Sequence, residues 1–126
     1  MKYSDFLEKY DNKGIEDWGT ANSDAMKNFF KEFKNSVKND LKDTGIVIDK
    51  IGLNHYFFSG FLKKNDKYVY FSFDVPRGNF PINIDSSDCC LGMLIRTATN
   101  NTDYRGGTNH FTSLRNFIVD SNKLFM

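Results

Sequence analysis

Residues 55–74 read HYFFSGFLKKNDKYVYFSFD, and this stretch decides the fold. Two runs rich in aromatic and β-branched residues flank the polar segment 64–67, which is a tight-turn signal. The runs therefore predict a β-hairpin, with one strand over residues 55–62 and the next over residues 67–74. In the second strand, alternation predicts a core face made of Val69, Phe71, Phe73 and Val75.

A long helix is predicted before the hairpin, from Ser23 as its N-cap to Asp43. Its apolar residues recur at steps of three and four, as on one face of a helix: Met26, Phe29, Phe30, Phe33, Val37 and Leu41. Asp24 in the first turn and Lys42 in the last suit the helix dipole. A shorter helix is predicted from Ser4 to Tyr10, where apolar residues also follow helical spacing.

The remaining patterns complete an α+β fold. Residues 46–51 predict a first strand and residues 90–97 a late one, while residues 80–84 fit an edge strand or extended loop because of Pro81. A last helix is predicted from Asn109, with an apolar face of Phe111, Leu114, Phe117, Ile118, Ser121, Leu124 and Phe125. We expect one domain over residues 1–126, with a mostly antiparallel sheet of four to five strands and N-terminal and C-terminal helices on one face.

The second face of the sheet carries further aromatic residues. By alternation it would present Tyr56, Phe58, Tyr68 and Tyr70. Aromatic residues make up 16% of the chain, which is more than a core of this size needs. This face is therefore expected to be core or an interface, and a homodimer could form through it.

Composition limits the classes of function. The chain has 17 basic and 16 acidic residues and a net charge of +1. That balance argues against a mimic of nucleic acid and against a generic cationic binder, although a local basic face is compatible with it. Neither a leader peptide nor an apolar run near 18 residues is visible, so we expect no membrane contact and a cytoplasmic location. The adjacent Cys89 and Cys90 fit reduced thiols of a bacterial host cytosol.

The densest polar stretch joins the late strand to the last helix, over residues 96–110. Three interpretations stay open for it: an ordinary loop, an anion or nucleotide-phosphate site centred on Arg96 and Arg105, or a surface that recognises a protein. Arginine and tyrosine are residue types that anchor protein interfaces. The candidate partner-binding residues are Arg96, Asn101, Asp103, Tyr104, Arg105 and His110.

Lysines form the second candidate surface. They repeat the apolar stripe of the long helix displaced by one position, at Lys27, Lys31, Lys34, Lys38 and Lys42. Three interpretations again stay open: a solvated flank, a dock for an acidic protein, or a line that follows a nucleic-acid backbone with help from Tyr68 or Tyr70.

Catalytic patterns are weak. The two histidines, His55 and His110, lie in no recognisable metal-binding or nucleophile motif. We therefore expect no catalytic set, no metal and no cofactor. Asp85, Asp88 and Asp103 lie near the polar loop, but their spacing is not that of a calcium loop.

The first hypothesis is accordingly a small, non-enzymatic protein-binding module. Its profile is typical of accessory proteins of phages or mobile elements that inhibit a host protein or ribonucleoprotein, such as a CRISPR effector, by stoichiometric binding. Direct nucleic-acid binding is the alternative, and a nucleotide-binding or phosphate-binding domain or enzyme at Arg96 and Arg105 is the third.

Overall fold

The computed structural model describes residues 1–10, 24–54, 57–73, 92–103 and 107–126. Three helices lie within these ranges: α1 (Tyr3–Tyr10), α2 (Asp24–Asp40) and α3 (Phe117–Leu124). The strands there are β1 (Val47–Asn54), β2 (Phe57–Lys64), β3 (Lys67–Phe73), β4 (Gly92–Ala98) and β5 (His110–Ser113). The five strands form one antiparallel sheet in the order β1-β2-β3-β4-β5, which confirms the α+β class.

The central hairpin has the predicted form. Lys64 pairs with Lys67, so the turn contains only Asn65 and Asp66. Asn65 has a φ of +55°, a left-handed conformation that asparagine tolerates better than most residues. This turn fixes the register and pairs Phe58 with Phe73 and Leu62 with Val69.

The core lies between the helices and the sheet face that carries Phe58, Phe71 and Phe73. It joins Phe58, Leu62, Val69, Phe71, Phe73, Met93 and Ile95 of the sheet to the buried faces of α1, α2 and α3. Phe33 is the central contact, because its ring centroid lies 4.7 Å from that of Phe58, 5.5 Å from that of Phe117 and 5.8 Å from that of Phe6. We call this side of the sheet the helix face.

Phe58 corrects the prediction for the second sheet face. Alternation alone grouped it with the strand tyrosines, but its pairing with Phe73 places it on the helix face, where it is fully buried. The second face instead carries Phe61, which pairs with Tyr70. The register of the hairpin decides which residues of β2 share a face with those of β3, and a shift of one residue moves every side chain of a strand to the other face.

The long helix is confirmed. Met26, Phe29, Phe33 and Val37 of its apolar stripe are buried, Phe30 is half-buried, and Leu41 continues the stripe in the turn that follows. The helix ends at Asp40 rather than Asp43, because residues 41–45 form a turn. The predicted N-cap, Ser23, lies outside the described residues.

The last helix is shorter than predicted. Residues 110–113 form β5, which pairs with β4, and α3 begins only at Phe117. Asn109 therefore precedes a strand instead of capping a helix. Phe111 was expected on a buried helix face, but it is 48% exposed on β5. Its three-residue steps to Leu114 and Phe117 imitated a helical stripe across a strand, a turn and a helix start.

Several predictions fall outside the described residues. They are His55 and Tyr56, the predicted core residue Val75, the segment 80–84, the acidic residues Asp85 and Asp88, the cysteines Cys89 and Cys90, and the loop residues Tyr104 and Arg105.

Candidate functional site

The centre of the second sheet face is buried, and Arg96 lies there. Phe61 is fully buried, Tyr70 is 8% exposed and Arg96 is 4% exposed. The Phe61 and Tyr70 ring centroids are 5.3 Å apart, and the Arg96 guanidinium carbon lies 4.3 Å from the Tyr70 ring centroid. This packing leaves little aromatic surface on Phe61 or Tyr70 for a second subunit to cover.

Arg96 holds the loop that joins β4 to β5, which we call the β4–β5 loop (residues 99–109, described at 99–103 and 107–109). Its Nη2 donates a hydrogen bond to the Asp103 carbonyl oxygen at 3.3 Å. Because Arg96 and Tyr70 pair across β4 and β3 and face away from the helices, this bond draws the loop onto the second sheet face. Cation–π stacking in a desolvated site stabilises such an arrangement by about 2 kcal/mol.

The other guanidinium nitrogen of Arg96 has unusual surroundings. Nη1 is sealed from solvent and has no hydrogen-bond partner among the described residues. A buried donor without a partner raises the free energy of the folded state by about 1–3 kcal/mol. An anion in solution has no access to Nη1 in this arrangement, so the geometry favours Arg96 as an anchor of the loop over Arg96 as an open phosphate site.

The loop is ordered by its own short polar side chains. The Asp103 carboxylate accepts hydrogen bonds from the Thr99 backbone N–H at 2.9 Å and from the Thr99 hydroxyl at 3.1 Å. Within the turn that these bonds close, the Asn100 side-chain oxygen accepts hydrogen bonds from the backbone N–H and the hydroxyl of Thr102, both at 2.8 Å. Such side-chain-to-backbone bonds replace regular secondary structure and fix a turn.

A second tether reaches across the sheet. Asn101 Nδ2 donates a hydrogen bond to Asp49 Oδ2 at 2.9 Å, although Asp49 belongs to β1 at the opposite edge. Asp49 lies at an irregularity of the β1–β2 register between Ile48 and Lys50. A β-bulge of this kind redirects a side chain, and here it coincides with the residue that the loop contacts.

The segment of the loop that leads into β5 passes very close to β4 at Gly107. Gly107 has a φ of +76°, and a methyl group built on it would lie 2.8 Å from Thr97 Oγ1 and closer still to the Thr97 carbonyl oxygen. Only glycine combines this backbone conformation with this approach. Gly107 therefore helps to keep the loop against the sheet.

The exposed described residues of the loop and of the start of β5 together make up what we call the loop surface. It consists of Thr99, Asn100, Thr102, Gly107, Thr108, Asn109, His110 and Phe111. Of the residues predicted to bind a partner, His110 lies on this surface, Asn101 and Asp103 support it from below, and Arg96 is buried beneath it. Sequence reasoning missed Phe111 and Asp49 as parts of the site; no motif in the sequence distinguishes either of them.

The lysines of α2 form the second candidate surface, and we call them the lysine face. Lys27, Lys31, Lys38 and Lys42 are exposed. Lys34 is half-buried, with its Nζ 5.4 Å from the Phe30 ring centroid. Lys42 lies in the turn after the helix. The structure thus brings the predicted set together on one flank of α2.

The strand tyrosines are poorly placed to stack on nucleic-acid bases. Tyr70 is covered by Arg96 and packs against Phe61. Tyr68 is half-buried, and Lys63 Nζ lies 5.4 Å from its ring centroid. Base stacking needs an open ring face, so these residues do not assist the lysine face in the way predicted.

Other site types find no support in the part of the chain that the structure describes. No three His, Cys, Asp or Glu side chains there are grouped closely enough to hold a metal ion. None of the described helices is long and apolar enough to cross a bilayer. His110 is exposed on β5.

No protein-family model matches the chain, and no curated protein and no solved structure matches it either.

Proposed function

We propose that this chain is a non-enzymatic protein-binding module that uses the loop surface for recognition. The observation that carries the proposal is the ordering of the β4–β5 loop: Arg96 and Asp49 tether it from below, while Asp103 and Asn100 fix its turns. A recognition loop that is already ordered loses less conformational entropy on binding.

The chemistry of the loop surface suits a protein partner. Asparagine and threonine side chains offer both hydrogen-bond donors and acceptors, and Phe111, two residues after Asn109, supplies an exposed aromatic group. Aromatic residues are enriched in protein interfaces and often account for much of the binding free energy. Among the described residues, a polar loop followed by an exposed aromatic side chain has the composition of a small recognition surface.

The proposed partner is a host protein or ribonucleoprotein in the bacterial cytosol, bound stoichiometrically by an accessory protein of a phage or mobile element. Small size, a near-neutral charge and a low arginine content, four residues in the chain, support this proposal. Inhibition of a CRISPR effector is one instance that can be assayed directly.

The test compares two exposed apolar residues. Phe111 on β5 is 48% exposed and Val119 on α3 is 57% exposed, so Phe111→Ser and Val119→Ser remove similar exposed groups from different surfaces. The tagged wild-type chain is used to capture partners from a bacterial lysate. The complex is then rebuilt from purified components, and its stoichiometry and Kd are measured.

The expected result is a defined complex whose Kd rises at least about 30-fold with Phe111→Ser, the effect of losing an interface anchor of about 2 kcal/mol. Val119→Ser should leave the Kd unchanged. Titration into a DNA-cleavage assay with a purified CRISPR effector should end at a fixed molar ratio if that effector is the partner. The proposal is wrong if Phe111→Ser binds the recovered partner as tightly as the wild type does.

A further inference from the structure

We propose that the lysine face binds the phosphate backbone of a nucleic-acid duplex. Lys27, Lys31, Lys34 and Lys38 lie within an arc of about 60° around α2 and span about 16 Å along its axis. Lys42 extends the line into the next turn. Among the described residues these lysines form no ion pair, so their charges are available to an external anion.

The carboxylates of α2 that lie within this run face elsewhere. Glu32 accepts hydrogen bonds from Lys9 Nζ, at 2.8 and 3.1 Å, and from the Tyr10 hydroxyl, so it is directed toward α1. Asp40 accepts a hydrogen bond from the Tyr3 backbone N–H at 3.2 Å, which also directs it toward α1. Glu32 and Asp40 are therefore directed away from the line of lysines, although Lys31 still contributes to lowering the Glu32 pKa. Asp24 is exposed in the first turn, three residues before Lys27 and on the same side of α2, so one carboxylate lies at the N-terminal end of the lysine face.

Two amides lie next to the lysine face on the side of α1. Asn28 and Asn35 are exposed there and border, with Lys31, a groove of about 370 Å³ between α1 and α2, whose other lining residues are Glu32, Lys9 and Tyr10. Lysine and asparagine side chains are common donors to phosphate and sugar oxygens. Lysine is depleted in protein–protein interfaces, where aromatic residues, methionine and arginine are enriched. The composition of this surface thus favours nucleic acid over an acidic protein.

The same surface favours a duplex over a single strand. Proteins that bind single strands stack bases on exposed aromatic rings. Among the described residues, Phe30 is half-buried and covered by Lys34, and Tyr10, which borders the groove beside Lys31, is buried. Since neither of these rings is open and α2 has no arginine to read base edges, binding should be independent of base sequence and electrostatic.

The experiment measures fluorescence anisotropy of a labelled duplex of about 20 base pairs, roughly 68 Å long at 3.4 Å per step. DNA and RNA duplexes are compared with a single strand of the same sequence. If four lysines each contact one phosphate, log K should fall with log salt with a slope of about −3.6. The affinity should then drop about 150-fold between 50 and 200 mM salt.

Two double variants locate the site. Lys31→Gln with Lys38→Gln removes two charges from the lysine face and should reduce the slope by about 1.8 and the affinity at 50 mM salt by about 200-fold. Lys63→Gln with Lys123→Gln removes two charges from β2 and α3, where Lys63 covers Tyr68 and Lys123 faces Asp120, and should leave the slope unchanged. Thermal melts of both variants show that each is folded.

The inference fails if neither duplex binds at 50 mM salt, the result expected when an acidic protein is the true partner. It fails equally if both double variants weaken binding to the same extent, or if the single strand binds more tightly than the duplexes. A difference between the DNA and RNA duplexes identifies which of the two the lysine face prefers.

Discussion

Gly60 should be a position at which a single methyl group damages both the sheet and the site. It pairs with Ile51 of β1 and Phe71 of β3. A Cβ built on Gly60 would lie 2.9 Å from Ile51 Cα, 3.0 Å from Phe71 Cζ and closer still to the Lys50 carbonyl oxygen. Ordinary contact begins near 3.4 Å, and two of these three obstacles are backbone atoms, which cannot rotate away.

For Gly60→Ala the backbone of β1 must therefore move away from β2. Overpacking of this kind lowers the free energy of unfolding by about 1–3 kcal/mol, and one lost ladder hydrogen bond adds about 1 kcal/mol. We expect a total of about 2–4 kcal/mol, which corresponds to a fall in Tm of about 8–16 °C for a domain of this size.

Gly52 provides the matched control. It lies one register step along the same strand pair, opposite Ser59, but a Cβ built on it would meet no atom within 4 Å. Gly52→Ala should therefore be neutral or should raise the free energy of unfolding by about 0.5–1 kcal/mol, because alanine loses less conformational freedom on folding. Urea titrations of the two variants and the wild type measure the difference.

The reasoning would be refuted by a Gly60→Ala protein with wild-type stability, or by an equal loss in Gly52→Ala. A link to the site can be measured in the same samples. The irregular part of β1 that approaches Gly60 also carries Asp49, so Gly60→Ala should speed amide hydrogen exchange at residues 99–103. Unchanged exchange there would mean that the tether is independent of the geometry of β1.

Three further predictions concern the loop, the core and the pH dependence. Asn101→Ala should lower the free energy of unfolding by less than about 1 kcal/mol, because the hydrogen bond of Asn101 to Asp49 is exposed. It should nevertheless weaken partner binding and speed hydrogen exchange of the Thr99 amide. Equal hydrogen exchange in variant and wild type would contradict this prediction. Phe33→Ala should lower the free energy of unfolding by about 3–5 kcal/mol in urea titrations, since its fully buried ring contacts α1, α3 and the sheet, and a loss below about 1 kcal/mol would show that these packing contacts are wrong. Burial opposes ionisation of Glu32, but hydrogen bonds from Lys9 and Tyr10 outweigh it and lower the Glu32 pKa, while burial and the bond to Glu32 raise the Tyr10 pKa. The stability that Glu32 contributes should thus be present above about pH 4.3 and should be lost as pH falls through its lowered pKa. The stability that Tyr10 contributes should be present below about pH 10 and should be lost as pH rises through its raised pKa. A Tyr10→Phe protein that keeps the full loss of stability at alkaline pH in thermal melts would contradict this assignment.

Local patterns account for the parts of the fold that were predicted correctly. The helical spacing of α2 and the two-residue turn after Lys64 are properties of neighbouring residues, so they can be recognised without knowledge of the rest of the chain. Phe58 was misplaced because alternation was applied to its own strand alone, whereas the register set by the turn pairs it with Phe73. Phe111 was misplaced because its pairing with Leu94 makes it part of a strand, and its spacing to Leu114 and Phe117 does not reveal that pairing.

The candidate site illustrates the same limit. The sequence singled out the polar stretch of residues 96–110 by composition, and the structure places most of its described residues in one loop. The sequence alone could not reveal that Arg96 is buried against Tyr70, or that Asn101 donates a hydrogen bond to Asp49, 52 residues away in the chain. These contacts depend on the order of strands in the sheet, and local residue types do not determine that order.

The two proposed surfaces lie on opposite sides of the sheet, and this arrangement makes their roles separable. α2 packs on the helix face, whereas Arg96 draws the β4–β5 loop onto the second face. Substitutions at distant sites without shared contacts have additive effects. Phe111→Ser should therefore leave duplex binding unchanged, and Lys31→Gln with Lys38→Gln should leave the Kd for a purified protein partner unchanged.

A ribonucleoprotein partner can be identified with a variant that combines Phe111→Ser with Lys31→Gln and Lys38→Gln. If one such particle offers protein to the loop surface and duplex to the lysine face, each set of substitutions should weaken its binding, and the losses in binding free energy should add. If the lysine substitutions weaken binding to the protein component alone, stripped of nucleic acid, then the lysine face belongs to the protein interface. The separation of roles argued from the two sides of the sheet would then be wrong.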